Sequence, residues 1–121
     1  MNSPSGSVPV GSLSLLMINR IAQVHHWESL ARQARYRDRE LARLCKVSLR
    51  QLQRHFQEVF GLKLHGWLFE LRQCDALRLL EEEKAVKEVA FQLGYPFAQH
   101  FSRDFKRFHG MTPSAYQNRS N

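Results

Sequence analysis

Two short stretches of the chain carry side chains suited to reading a polyanion. In the first, Arg50, Gln53, Arg54 and Gln57 recur at steps of three and four, which on a helix of about 3.6 residues per turn places all four on one face. Leu52, Phe56 and Val59 fall on the opposite face, so apolar groups turn inward and cations and amides outward. An Arg fork can hold guanine O6 and N7 with two hydrogen bonds, and a Gln amide can do the same for adenine N6 and N7. Such a face has the chemistry to read base edges in the major groove of DNA. In the second stretch, Phe97, Phe101, Phe105 and Phe108 are expected to be buried, leaving Ala98, Gln99, Ser102, Arg103, Lys106 and Arg107 outward. There Ala98 can touch a thymine methyl and Gln99 and Arg103 can reach base edges, while the flanking phosphates are assigned to Lys106 and Arg107, and to Ser48 and Gln57 in the first stretch.

Other chemistries find little footing. His55, His65, His100 and His109 fall on separate segments with no carboxylate or cysteine at ligand spacing, so no metal site is expected. Cys45 and Cys74 match no zinc pattern and are read as buried small hydrophobes. The sequence has no nucleophile elbow, phosphate loop or paired-carboxylate pattern, so neither an enzyme nor a cofactor is expected. Glu81-Glu82-Glu83 is most simply a solvated helix end, with an acidic protein-contact surface as the sharper reading.

The elements that must position these faces are announced by an internal repeat. Glu40-Leu41-Ala42 returns 48 residues later as Glu88-Val89-Ala90; Leu52, Arg54, Phe56 and Gly61 return 49 residues later as Phe101, Arg103, Phe105 and Gly110. Each copy has a short apolar-periodic helix, about Asp38 to Leu44 and Val86 to Gln92, then a turn, then a longer helix ending at Gly61 or Gly110. This is helix-turn-helix grammar, with the second helix of each pair as the groove reader. The second turn contains Gly94, whereas Lys46 stands at the matching place in the first and is a poorer residue for a left-handed backbone. Ser48 is placed to cap the helix after it, and Pro96 sits near the matching start in the second copy. Between the copies, Leu64, Trp67, Leu68, Leu71, Ala76, Leu79 and Leu80 form a stripe that predicts one long joining helix, about residues 64–82. Thr112-Pro113 predicts a cap and first residue of a final short helix through Tyr116.

The expected fold is therefore all-α: two helix-turn-helix subdomains, about 38–61 and 86–110, each a homeodomain-like three-helix unit, joined by a long helix. The 121 residues suffice for one domain with a real core, and the hydrophobic share of 43% is ordinary for a globular protein. Met1 to Gly11 reads as a flexible tail, and the remainder, 12–121, as the domain. From Leu13 to Ala34 apolar residues recur at helical steps, as either one long helix or two shorter ones. A net charge of +7 favours a polyanionic partner, either nucleic acid or an acidic membrane surface. The longest apolar run, Leu15 to Ile18, is far below the ~20 residues of a spanning helix, so no membrane insertion is expected. No Lys or Arg precedes Arg20, unlike a secretory signal, and a cytoplasmic location is expected.

The ordered run Leu41-Ala42, Val47-Ser48, Leu52, Arg54-His55-Phe56, Gly61, Trp67-Leu68, Leu71-Arg72, Ala76, Leu79-Leu80, Val86, Val89-Ala90, Gly94-Tyr95, Phe101-Ser102-Arg103, Phe105-Lys106, Gly110 and Thr112-Pro113-Ser114 resembles the DNA-binding domain of the AraC/XylS family of bacterial transcription regulators. The resemblance covers about Asp38 to Tyr116. It implies a regulator of asymmetric promoter sites with double-stranded DNA as partner, commonly activating by touching RNA polymerase. It also implies base contacts from Arg50, Gln53 and Arg54 in the first unit and from Ala98, Gln99, Ser102 and Arg103 in the second. Most of the family carries a sensor or dimerisation domain as well, so the chain is expected to be a short stand-alone member or an excised domain. The rival from another class is a basic helical protein-interaction module without specific DNA readout.

Overall fold

In the computed structural model residues 26–119 are described, and the chain divides into two compact units, residues 1–30 and 31–121. Of the first unit, residues 26–30 are described and are helical. The tail expected over Met1–Gly11 and the helical face expected from Leu13 to Val24 lie outside the described residues. In the second unit a last stretch of helix, residues 31–33, leads into a turn and then into six helices: α1 (Asp38–Leu44), α2 (Leu49–Phe60), α3 (Leu64–Glu81), α4 (Val86–Gln92), α5 (Ala98–His109) and α6 (Pro113–Asn118). All regular structure among the described residues is helical, with α1-turn-α2 and α4-turn-α5 as the two repeated units and α3 joining them.

Local chemistry sets the helix ends. The Ser48 hydroxyl accepts the Gln51 N–H at 3.1 Å and the Gln51 side-chain oxygen accepts the Ser48 N–H at 3.0 Å, a reciprocal box that satisfies two otherwise orphaned donors. Both α2 and α5 stop at a left-handed glycine, Gly61 at φ +67° and Gly110 at φ +85°. Thr112 caps α6, its hydroxyl accepting the Ala115 N–H at 3.1 Å, and Pro113 occupies the first turn, where its missing donor is harmless.

The repeat slips from 48 to 49 residues inside the turn. Lys46 and Gly94, 48 apart, both adopt positive φ, whereas the N-caps Ser48 and Phe97 are 49 apart. Where the first turn has Val47, the second has Tyr95-Pro96. The extra residue lets Tyr95 turn inward: it is buried, whereas Val47 is exposed.

Each unit has an apolar centre, and α3 lies along both, packing against each of the other five helices. In the first unit Leu41, Ala42, Leu52 and Phe56 are buried with Leu64 and Leu68 of α3, and the Phe56 ring lies 5.1 Å from that of Trp67. In the second, Val89, Ala90, Leu93, Phe101 and Phe105 cluster with Ala76, Leu79 and Leu80 of α3. Each fully buried Phe or Leu contributes roughly 1.5 to 3 kcal/mol, so these two clusters are where the fold is held.

Buried among them are two polar side chains of α3, Gln73 and Asp75. Asp75 accepts three hydrogen bonds, from Arg32 Nε at 2.9 Å, Arg32 Nη2 at 3.1 Å and the Tyr36 hydroxyl at 2.6 Å. A buried carboxylate without such partners would be strongly destabilising, and the two-pronged Arg contact is what makes it tolerable. Burial, together with the bond to Asp75 and its charge, pushes the Tyr36 phenol well above its usual range, so it stays a neutral donor. Gln73 donates to the Tyr95 hydroxyl at 2.7 Å, and that hydroxyl donates to Asp104 of α5 at 3.0 Å. Burial pushes the Tyr95 phenol up to about 12, which keeps that donor in place too. Arg72 lies flat on the Tyr95 ring, its guanidinium carbon 3.7 Å from the ring centre, and its Nε donates to the Leu93 carbonyl at 2.9 Å.

Replacing Asp75 by a near-isostere without charge tests the network. Asp75→Asn keeps the volume but weakens three charge-assisted bonds and offers Arg32 an amide. Unfolding in urea should show a loss of about 1.5 to 3 kcal/mol. An unchanged urea midpoint would show that Arg32 and Tyr36 do not depend on that charge.

Candidate nucleic-acid interface

The second helix of each unit shows solvent a row of donors and cations. On α2, Arg50, Gln53, Arg54 and Gln57 are exposed, Leu52 and Phe56 are buried, and Val59 is half-buried. On α5, Gln99, Arg103, Lys106 and Arg107 are exposed while Phe101 and Phe105 are buried. Arg54 and Arg103 are repeat-equivalent, and at 3.6 residues per turn each stands nearly opposite its own buried pair. Each face thus centres on an arginine, with amides and further cations around it. Ser48 is exposed at the tip of α2; its oxygen accepts the cap bond, so its hydroxyl proton is available for an outside acceptor.

The second face differs in part from what its residue pattern predicts. Ala98 and Ser102, expected outward, are half-buried, and Ala98 packs against the second core. Phe97 and Phe108, expected buried, are exposed at 60% and 40%. Phe97 precedes the first helical residue of α5, so the helical period does not govern it; Phe108 lies past the end of the core and packs edge-on to Phe69 of α3, centroids 5.7 Å apart. Arg107 lies over the Phe69 ring at 5.4 Å, with Nη2 3.4 Å from Asp104 Oδ1, and Arg103 Nε is 3.9 Å from the same oxygen. These two cations are therefore partly neutralised, unlike a bare row of charge. The cysteines are not the buried pair expected. Cys74 is exposed on α3 and Cys45 is half-buried, with desolvation pushing the Cys45 thiol up, away from thiolate character.

The turn that leads into α5 is held by contacts that the residue pattern does not announce. Three arginines take the carbonyls at the end of α4 and its turn: Arg35 the Phe91 carbonyl at 2.9 Å, Arg72 that of Leu93 at 2.9 Å, and Arg37 that of Gly94 at 3.4 Å. Cations at a helix C-terminus meet both its free carbonyls and the negative end of its dipole. Gly94 itself, at φ +83°, is so close to Arg35 that a Cβ would sit 3.3 Å from Arg35 Cβ and Nε. In the first unit the turn has Lys46 at φ +59°, the left-handed conformation that its repeat partner Gly94 predicts.

Comparison with known proteins places this geometry. A helix-turn-helix domain model matches residues 41–119, the span of both units and the joining helix. The chain belongs to the AraC-type helix-turn-helix family. The AraC-type domain is 37% identical over 81 residues to the HTH-type transcriptional regulator GlxA of Rhizobium meliloti, covering 66% of this chain and 25% of that protein. It is 38% identical over 84 residues to the HTH-type transcriptional activator RhaR of an Enterobacter species, covering 66% and 30%. The chain thus spans about a quarter to a third of the length of these curated relatives. Among solved structures it is similar to a DNA-binding transcriptional dual regulator from Escherichia coli K-12, with TM-score 0.60, 29% identity and 69% and 76% of the two chains covered. The C-terminal domain of AraT, a response regulator from Geobacillus stearothermophilus, matches with TM-score 0.63 at 26% identity over 76% and 84%. No helix among the described residues of the AraC-type domain is long and apolar enough to cross a membrane.

The two turns give opposite expectations for glycine. Lys46→Gly removes a left-handed side-chain cost of about 1 to 2 kcal/mol and adds a chain-entropy cost of about 0.5 to 1, so it should stabilise by about 0.5 to 1 kcal/mol. Gly94→Ala meets both the positive φ and the Arg35 contact and should destabilise by about 1 to 2 kcal/mol. Thermal unfolding of the two variants checks the pair; shifts of the same sign would contradict the assignment.

Proposed function

We propose that this domain is a sequence-specific, double-stranded-DNA-binding transcription regulator that lays α2 and α5 into the major groove of a promoter site. The observation that carries this reading is the repeat-equivalent pair Arg54 and Arg103, both exposed, each opposite its helix's buried pair, Leu52 and Phe56 on α2 and Phe101 and Phe105 on α5. The net charge of +7 and the AraC-type fold support it. Arg50, Gln53 and Arg54 read base edges in the first unit, and Gln99 and Arg103 in the second, with Ala98 and Ser102 at the edge of that contact. Ser48, Gln57, Lys106 and Arg107 meet phosphates, Arg107 from its seat on Phe69. Relatives named as transcriptional activators support activation as the output; contact with RNA polymerase and action at the nucleoid belong to the same reading.

Roles at individual positions separate by their dependence on sequence and salt. Arg54→Ala should cost about 1 to 3 kcal/mol on the preferred site and relax preference at one base position, because a two-pronged Arg–guanine contact is worth that much. Lys106→Ala should weaken all sequences alike and reduce the salt slope by about one unit. Equal losses of both variants on specific and random DNA would sink the assignment. Random DNA competing with wild type as well as promoter DNA does would favour the rival, a basic protein-interaction module.

The joining helix sets a geometric expectation. Its 18 residues span about 27 Å at 1.5 Å per residue. Successive major-groove faces on straight DNA are about 34 Å apart, so if that length sets the spacing of α2 and α5, the duplex bends toward the protein or one unit inserts only partly. Inserting about 5 base pairs between the two half-sites rotates one groove to the far side and should abolish specific binding. Undiminished binding in a gel shift at fixed salt would show that the two units do not read one face together.

A further inference from the structure

At the tip of α5 stands a side chain that the fold itself does not require. Phe97 is the N-cap of α5, makes no side-chain cap bond and is 60% exposed. Its repeat partner Ser48 closes a capping box on α2. A Ser, Thr, Asp or Asn at that place would satisfy a free N–H of the first turn, so an aromatic ring there is unfavourable for the helix. The ring lies edge-on to His100 with centroids 5.3 Å apart and leaves most of its apolar surface exposed, two residues before Gln99 in the chain. The first residues of a helix-turn-helix reading helix are those that approach base edges. On the floor of the major groove the apolar group available to such a ring is the 5-methyl of thymine.

We infer that Phe97 is a specificity-determining residue that packs against a thymine methyl in the half-site read by α5. This rests on the DNA-binding reading above. It gives the second unit an apolar discriminator beside the polar Gln99 and Arg103, in keeping with the half-burial of Ala98 and Ser102 and the partial neutralisation of Arg103.

The test uses the 121-residue chain and duplexes that it selects from random-sequence DNA. Each thymine of the α5 half-site is replaced singly by deoxyuridine, which lacks only the methyl. Wild type should lose about fourfold in affinity at one position, the worth of one buried methyl-sized group. Phe97→Ser should bind the thymine site several-fold more weakly than wild type and show no further loss with deoxyuridine there. The same variant should unfold at a higher temperature, by about 4 to 8 °C, because it gains a cap. Equal methyl sensitivity in both proteins, no sensitivity in wild type, uniform weakening on all DNA, or a lowered unfolding temperature would each overturn the inference. If wild type selects no common sequence, the DNA-binding reading fails first; if it does and Phe97→Ser binds unchanged, the inference about Phe97 alone fails.

Discussion

The placement of two reading helices depends on one constraint, the burial of α3 between two cores. α3 keeps one exposed stripe, Gly66, Glu70, Cys74, Arg78 and Glu81, but it packs against each of the other five helices and must satisfy partners around the rest of its circumference. Its apolar residues divide between the clusters, Leu64 and Leu68 in the first and Ala76, Leu79 and Leu80 in the second. Because the helix is continuous, adding or removing one residue between those sets would turn one cluster by about 100° relative to the other. The angle between α2 and α5 is thereby fixed by counting along α3.

Apolar packing alone would leave that angle soft, since Leu and Ala contacts are non-directional. The buried polar groups of α3 supply direction. Asp75 anchors the segment around Arg32 and Tyr36, and that same segment sends Arg35 and Arg37 to the turn between α4 and α5. Arg72, one helical turn back, reaches the same turn from the other side, and Gln73 continues through Tyr95 to Asp104 on α5. The second reading helix is thus tied to α3 through Asp104 and His109, and the turn that leads into it is tied to the chain before α1. The first unit relies instead on its capping box and on the Phe56 and Trp67 rings.

Much of this organisation is legible in the sequence, and the reasons are physical. Caps, left-handed glycines and apolar period are local signals, so α2, α5 and the joining helix can be read from Ser48, Gly61, Gly110 and the leucine stripe. Even Lys46, a poor residue for its turn, is placed by its repeat partner Gly94. The buried polar network is not legible in this way. A lone Asp or Gln within an apolar stripe carries no sign of the Arg or Tyr, tens of residues distant, that will satisfy it. The same limit applies at helix ends: hydrophobicity and period assign Phe97 and Phe108 to the core, but one lies before the period begins and the other after the core has run out.

The unequal way in which the two units are held bears on how they would share a site. A helix fixed by directional bonds has little freedom to adjust to DNA, so its contacts must suit the groove as it stands. The first unit has its richer set of forks and amides on a helix held mainly by rings and a cap, and long side chains such as Arg50 and Arg54 can search base edges at small cost to the fold. The second offers fewer free polar groups, with Arg103 and Arg107 drawn toward Asp104, on a helix bonded to α3 through Asp104, Tyr95 and Gln73. On the reading proposed above, that surface would add the shape of the exposed Phe97 ring to its few polar contacts, while the first would discriminate by hydrogen bonding alone. A site read by this domain should therefore be asymmetric in chemistry as well as in sequence: one half-site rich in purine acceptors, the other defined in part by what fits against the Phe97 ring.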